Sequence, residues 1–241
     1  MDNVLPLIKK NQTFLEKNGQ GWFMEHDGLI RHGMVLNYTS NNELVKTPYH
    51  YGQMHGIQSV YFHDSDDLKS TTEYRNSRKD GHECFYDKNG YIVQKNLYAL
   101  GKIVQEIRYG INGPLSEKNF NLQGDKHGNQ ITFYPDGSIE SCYSYRDDKL
   151  DGECFANYEN GKTWYHVPYK KGKPVNRYVE YFESGKLKKQ EMYGSDTNHM
   201  IEYFESGTVE YAGCHKGGIR HGQGIQSVSY THLRAHETPI N

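Results

Sequence analysis

The chain has 241 residues, enough for one or two ordinary domains, and a formal charge of −2. That balance argues against a nucleic-acid binder, which needs a basic face to neutralise phosphates. Apolar residues make up 35% and aromatics 13%, too little aliphatic mass for a thick two-layer core and too much aromatic for disorder.

The first 19 residues show no basic-then-apolar leader, and no apolar run is long enough to span a bilayer as a helix. Val4, Leu7, Ile8, Phe14 and Leu15 fit a short amphipathic helix. Phe14-Leu15 followed by Asn18-Gly19 fits half a repeat in strand form, and we prefer that reading.

From 20 to 226 two phrases alternate about every 24 residues. The first is Gly-x-x-(His/Asp)-Gly, as in Gly52 to Gly56, Gly124 to Gly128 and Gly218 to Gly222, with a lengthened copy from Gly28 to His32-Gly33. Weaker copies end at Asp80-Gly81, Asp151-Gly152 and Asn176. The second is an aromatic pair, a polar turn closing on glycine, and an apolar residue two places on. It occurs at Phe85-Tyr86 to Gly90 and Ile92, and at Phe133-Tyr134 to Gly137 and Ile139. It recurs at Tyr158 to Gly161 and Trp164, Tyr181-Phe182 to Gly185 and Leu187, and Tyr203-Phe204 to Gly207 and Val209. Tyr109, Asn112-Gly113 and Leu115 form a further copy.

Asn-Gly and Asp-Gly between strand-like runs predict tight hairpins whose two central residues have positive φ. One repeat is then one hairpin and a connecting turn. A lone hairpin is barely stable in water, so the copies must stack. The expected fold is all-β, a solenoid-like elongated sheet of stacked antiparallel hairpins with about 24 residues per repeat. Eight copies would extend roughly 80 Å at the usual strand spacing. The 21 Tyr and 9 Phe would line up as cross-strand ladders in place of a thick core.

These phrases resemble the MORN repeat family, most closely its bacterial variant, over about residues 11 to 226. Phe85 to Gly90, Tyr169-Lys170-Lys171-Gly172-Lys173 and His50-Tyr51-Gly52 to Gly56 carry the likeness. The pattern departs at Ile103 to Glu106, where no Gly-x-x-x-Gly turn introduces the Gly113 copy and the sheet is expected to bulge or twist. The resemblance implies a non-enzymatic scaffold. Bacterial members are often labelled antitoxins, which implies a protein partner of the toxin kind. Eukaryotic members imply scaffolding or lipid binding.

Structural turns are assigned to Gly33, Gly56, Gly81, Gly90, Gly113, Gly128, Gly137, Gly152, Gly161, Gly185, Gly207 and Gly222. No catalytic, metal or cofactor residue is assigned. His32, His55, His127 and His221 share one slot with Asp80, Asp151 and Asn176, and a slot accepting all three types is a turn position rather than a metal ligand. Glu180, Glu183, Glu202 and Glu205, duplicated in two Glu-Tyr-Phe-Glu runs, read as a solvent-facing strand edge and turn. Lys170, Lys171 and Lys173, with Lys186, Lys188 and Lys189, read as a solvated face or, more sharply, as a patch for anionic lipid or an acidic partner. Cys84 and Cys154 occupy equivalent positions three copies apart and read as small buried strand residues. Without Cys-x-x-Cys spacing, a reducing cytoplasm is the simplest compartment. Trp164 is expected to pack in the apolar ladder beside Tyr165, and Trp22 to cover the first hairpin.

Residues 227–238 abandon the repeat and resemble the translation of a sequencing-library adapter; the alternative is an authentic cap. The adapter reading makes 227–241 a non-native tail on a truncated array. The function expected is therefore a repeat scaffold for a protein partner in a bacterial cytoplasm. The alternatives are a peripheral anionic-lipid module and the repeat region of a larger protein whose C-terminal domain is missing.

Overall fold

The computed structural model describes residues 13–17, 20–25, 28–31, 33–193, 198–216 and 219–227, by backbone alone up to residue 31. They form two compact units, 1–125 and 126–241. Every element among them is a β-strand. The proposed adapter tail beyond Ser227, the short helix ahead of Thr13, His32, Gly218 and the side chain of Trp22 lie outside these residues.

In unit 1, β1 (Thr13–Lys17), β2 (Gln20–Glu25) and β3 (Gly28–Arg31) form a three-stranded sheet. Thr13–Lys17 is thus the strand preferred over a helix. The main meander runs through β4 (Gly33–Tyr38), β5 (Leu44–His50), β6 (Gln53–Met54), β7 (Gly56–Tyr61) and β8 (Leu68–Arg75). It continues with β9 (Arg78–Tyr86), β10 (Ile92–Ala99), β11 (Lys102–Gly110) and β12 (Gly113–Asn119). Unit 2 holds β13 (Gly128–Phe133), β14 (Ile139–Arg146), β15 (Lys149–Asn157), β16 (Thr163–Lys170) and β17 (Lys173–Pro174). It ends with β18 (Asn176–Tyr181), β19 (Leu187–Tyr193), β20 (His199–Tyr203), β21 (Val209–Lys216) and β22 (Ile219–Gln226). Consecutive strands pair antiparallel, so each unit is a stack of hairpins.

The turns of each meander alternate between two rims, and their chemistry differs from the sequence expectation. The Asn-Gly turns are not the tight ones. Gly90 donates its N–H to the Asp87 carbonyl at 3.0 Å, and Asp87 N–H to the Tyr91 carbonyl at 2.9 Å. Gly90 has φ 83°, whereas Asn89 stays at negative φ. This is a type I turn followed by a glycine bulge. The Asp87 carboxylate fixes it by accepting from the Asn89 and Tyr91 amides at 2.9 Å. Turns closing on Gly137, Gly161, Gly185 and Gly207 repeat it.

The two-residue turns with both φ positive lie on the other rim, at Tyr51-Gly52, Asn76-Ser77, Leu100-Gly101, Asp147-Asp148 and Lys171-Gly172. Outside the stretch from Leu100 to Asp125, four-residue caps thus mark one rim and tight turns the other. Beyond the tight turn comes a wide bulge. Tyr74 faces Lys79 but Thr72 faces Glu83, so Glu73 opposes Asp80, Gly81 and His82. Ser144 likewise opposes Asp151, Gly152 and Glu153. A Cβ on Gly81 would lie 2.0 Å from a Glu73 carboxylate oxygen, and one on Gly152 would lie 2.8 Å from Ser144 Cβ. Both glycines have φ above 110°, a region closed to side-chain-bearing residues.

Three assignments change. Asn176, at φ 59°, takes the place of the second glycine, not of the histidine. Val175 holds the histidine slot, its N–H reaching the Pro168 carbonyl at 2.9 Å as His55 N–H reaches Pro48 at 3.0 Å. Around Gly113, Ile111-Asn112 makes a two-residue turn with Gly110 opposite Gly113, instead of the four-residue cap. That cap appears one turn later, where Gly124 donates to the Asn121 carbonyl. Within Ile103 to Glu106 the bulge shrinks to one extra residue, Val104, because Leu97 faces Gln105 and Tyr98 faces Ile103.

Neighbouring copies are stapled at the tight-turn rim. The second turn residue donates its N–H to a carbonyl in the preceding copy: Ser77 to Met54 at 2.8 Å, Gly101 to Lys79 at 2.9 Å, Asp148 to Lys126 at 3.1 Å, Gly172 to Leu150 at 2.8 Å. On the capped rim, Tyr134 and Tyr158 hydroxyls donate to the Asn157 and Tyr181 carbonyls of the following copy at 2.6 and 2.8 Å.

A buried row crosses each unit at steps of 24 or 25 residues. In unit 1 it is Thr47, Thr72 and Asn96; in unit 2, Val167, Glu191 and His215. Unit 1 surrounds it with polar groups. The buried Glu83 carboxylate accepts from Asn96 at 2.9 Å, Tyr98 at 3.0 Å, Lys79 at 2.5 Å and Thr72 at 3.3 Å. Burial opposes ionisation of Glu83, but the bonds from Lys79, Asn96 and Tyr98 outweigh it and hold its pKa below the ordinary value. Unit 2 surrounds the row with tyrosines: Tyr143 bonds Tyr165, which stacks on Tyr178 with centroids 6.2 Å apart. The fully buried Cys154 faces Tyr143 and Val167 across the sheet. The expected aromatic ladder is thus a property of unit 2, while unit 1 uses a hydrogen-bonded polar row.

Candidate functional site

Repeats supply their own control. After the cap glycine, the first and third positions are Ser138 and Glu140, Lys162 and Trp164, Lys186 and Lys188, Thr208 and Glu210. In the copy that follows Gly90 they are Tyr91 and Val93, with Ile92 between. Tyr91 is 72% exposed. On the same rim the shortened turn presents Ile111, 104% exposed, and Leu115, which lies over Gly110. Nothing in the turn geometry requires apolar side chains here. Tyr91, Ile92, Val93, Tyr109 and Ile111 line an open groove of about 670 Å³ in unit 1, edged by Asp87 and Asn89. A contiguous exposed apolar patch of this kind marks an interaction surface far more often than a lone exposed leucine does.

The capped rim of unit 1 is acidic. Asp64 binds Lys88 at 2.9 Å, and Lys88 holds the Asp64 carboxyl below its ordinary range. Glu43 pairs with Lys69. Asp66 and Asp67 are exposed and make no ion pair among the described residues.

The assigned glycines at 33, 56, 81, 90, 113, 128, 137, 152, 161, 185, 207 and 222 all have positive φ. The lysines divide. Lys170, Lys171 and Lys173 lie exposed at the tight-turn rim of unit 2, beside Lys126, Arg146 and Lys149. Lys186 lies at the capped rim and donates to the Glu205 carbonyl at 2.9 Å. Lys188 binds Glu180 at 2.7 Å, and Lys189 binds buried Glu191 at 2.6 Å. The two clusters therefore do not form one face, and the second is largely neutralised.

Glu180 is likewise not solvent-facing: it also accepts from Tyr178 at 3.0 Å, and Glu202 binds Arg220 at 2.7 Å. Only Glu183 and Glu205 are exposed. His55 and His127 are exposed just before a strand begins, and His221 is exposed within β22, so the slot follows the turn instead of forming it; His127 contacts Asp147 at 3.2 Å. Among the described residues no group of three or more His, Cys, Asp or Glu is placed to hold a metal ion. Cys154 is buried as expected but Cys84 is only half-buried, and all four cysteines are free thiols. Trp164 does sit edge-on to Tyr165, centroids 5.3 Å apart, but remains 44% exposed rather than packed in the ladder. A second open groove in unit 2, about 710 Å³, has Phe155, Val179 and Tyr181 along it. Lys162 spans it to the Ser184 carbonyl at 2.7 Å, and His166 engages Glu153.

The family model for the MORN repeat variant matches residues 126–147, 150–171 and 175–194. These three segments are MORN repeats. Each match covers one hairpin with its cap in the middle, running from one tight-turn rim back to the same rim. The matched segments lie within 126–194, and unit 1 carries the same hairpin geometry outside them. A comparison with curated proteins returns no match. Among solved structures, a porin-like protein from Bacteroides uniformis is 12% identical, covering 90% of this chain and 92% of that one, with a TM-score of 0.20. No helix among the described residues is long and apolar enough to cross a membrane.

Proposed function

We propose that this MORN-repeat chain is a non-enzymatic scaffold that holds a protein partner at the unit 1 groove, in a bacterial cytoplasm. The observation that carries the proposal is Ile111, a fully exposed aliphatic residue near Tyr91 and Val93, whose places other copies fill with Ser, Lys or Thr and with Glu, Lys or Trp. Apolar anchors of this kind supply most of the affinity of a docking surface. Resemblance to antitoxin-labelled bacterial proteins supports a toxin as the partner. The test is co-purification from the native host with wild-type chain and Ile111→Asp. Loss of one specific protein with the substitution supports the reading. A partner retained equally by both, or a strictly monomeric wild type, counts decisively against it. An adjacent small toxin-like reading frame supports the toxin assignment, and its absence removes that part.

A second reading, peripheral binding to anionic lipid, is favoured by Lys126, Arg146, Lys149, Lys170, Lys171 and Lys173 on one rim of unit 2. Flotation with phosphatidylserine vesicles tests it. Binding that weakens with salt and with Lys170→Glu/Lys171→Glu supports lipid; no binding at low salt removes it.

A further inference from the structure

We propose that the unit 1 groove takes a partner segment in which apolar side chains alternate with Lys or Arg. The inference rests on the protein-docking reading and names the chemistry of the partner.

The backbone sets the width. The groove lies between neighbouring turns of one rim, the cap at Asp87–Tyr91 and the two-residue turn at Ile111-Asn112. Neighbouring turns on a rim are two strand spacings apart, roughly 9.6 Å. Each turn is itself one strand spacing wide, so the gap between them is roughly 4.8 Å, the width of one extended segment. The Ile111 turn has lost the cap that other copies keep, so the rim is notched there. Tyr91, Val93 and Ile111 are exposed along it. An occupant needs apolar side chains to desolvate them.

Charge chooses among such occupants. On the same rim of unit 1 stand Glu43, Asp64, Asp66, Asp67 and Asp87, against Lys69 and Lys88: five carboxylates and two ammonium groups, a balance of −3. Asp87 is explained by its cap and Asp64 and Glu43 by their lysines. Asp66 and Asp67 have no such role. Asp66 and Asp67 stand on the next cap along the rim from the groove, and unneutralised carboxylates there speed encounter with a basic segment and disfavour an acidic one.

The experiment is fluorescence anisotropy on the full chain with two synthetic peptides. Both carry the same Leu and Phe positions; one has Lys and Arg between them, the other Glu and Asp. The basic peptide should bind at least about tenfold more tightly at low salt, with the gap closing as salt screens the rim. Ile111→Asp should abolish its binding, and Asp66→Lys/Asp67→Lys should narrow the preference. All three sites are exposed, so circular dichroism should be unchanged. Equal binding, a preference for the acidic peptide, no binding of either, or binding indifferent to Ile111→Asp each overturns the inference. If the native partner is still lost on Ile111→Asp while the peptides show no basic preference, the docking reading stands and this inference falls.

Discussion

The two units solve one problem with different buried chemistry. Unit 1 fills the row along its hairpins with Thr47, Thr72 and Asn96, converging on the Glu83 carboxylate. Unit 2 fills the same row with Val167, Glu191 and His215 among Tyr143, Tyr165, Tyr178 and Cys154. Yet Glu73 and Ser144 each oppose three residues across the sheet, and tight-turn staples recur in both units. What persists is backbone: turn, bulge and staple. What varies is the side chain that covers it. All three matches to the family model fall in unit 2.

The comparison breaks first at Glu83. Glu83→Ala should cost unit 1 about 3 kcal/mol, because it strands Lys79, Asn96 and Tyr98 around a vacated carboxylate. Urea unfolding would measure it; a loss below 1 kcal/mol would mean that water readily replaces the carboxylate. Next, Gly81→Ala and Gly152→Ala should each cost about 2 kcal/mol, since both combine forbidden φ with a blocked Cβ. Gly90→Ala, with nothing within 4 Å of its Cβ, should cost about 1 kcal/mol. If Gly81 and Gly152 differ strongly from each other, the bulge is not an element the two units share. Cys154→Ala should be milder, about 1 kcal/mol, since it removes one small apolar atom from unit 2.

The smallest effect expected is with pH. Burial raises the Tyr165, Tyr178 and Tyr193 hydroxyl pKa values well above the ordinary value. A raised folded-state pKa gives stability that is complete below the unfolded value of about 10 and is lost as pH rises above it. Unit 1 has Tyr98 raised in the same way but less strongly. Glu83, Glu180 and Glu191 are depressed, so their contribution is present above about pH 4.5 and lost below it in both units. With Trp22→Phe, Trp164 alone reports on unit 2. Its alkaline transition should precede loss of overall β circular dichroism; coincident transitions would sink the distinction.

The period, the strand content and the glycine positions are legible in the chain because positive φ leaves a compositional mark. Turn type is not. Asn-Gly suits a two-residue turn and also a type I turn with a glycine bulge, and the choice rests on register and on the Asp87 carboxylate. Leu100-Gly101 escaped notice because leucine seldom occupies φ 51°. The polar row of unit 1 was hidden because Thr, Asn and Glu in a strand look solvent-facing until their partners across the sheet are known. The groove was within reach. Setting the copies in register exposes Tyr91 and Val93 as misfits, but each alone passes for a strand residue, and Ile111 was concealed by assigning its turn to the wrong kind.

The staples also bear on how such a chain can change length. Each ties one tight turn to the copy before it and reaches no farther. Adding or deleting a whole copy of about 24 residues restores every link. A half copy would send a four-residue cap to the rim that needs a tight turn. The stretch from Leu100 to Asp125, with its clipped turn at Ile111 and displaced cap at Asn121, has the form such an accident would leave. Ile111, the most exposed large apolar side chain among the described residues, lies within that irregular stretch.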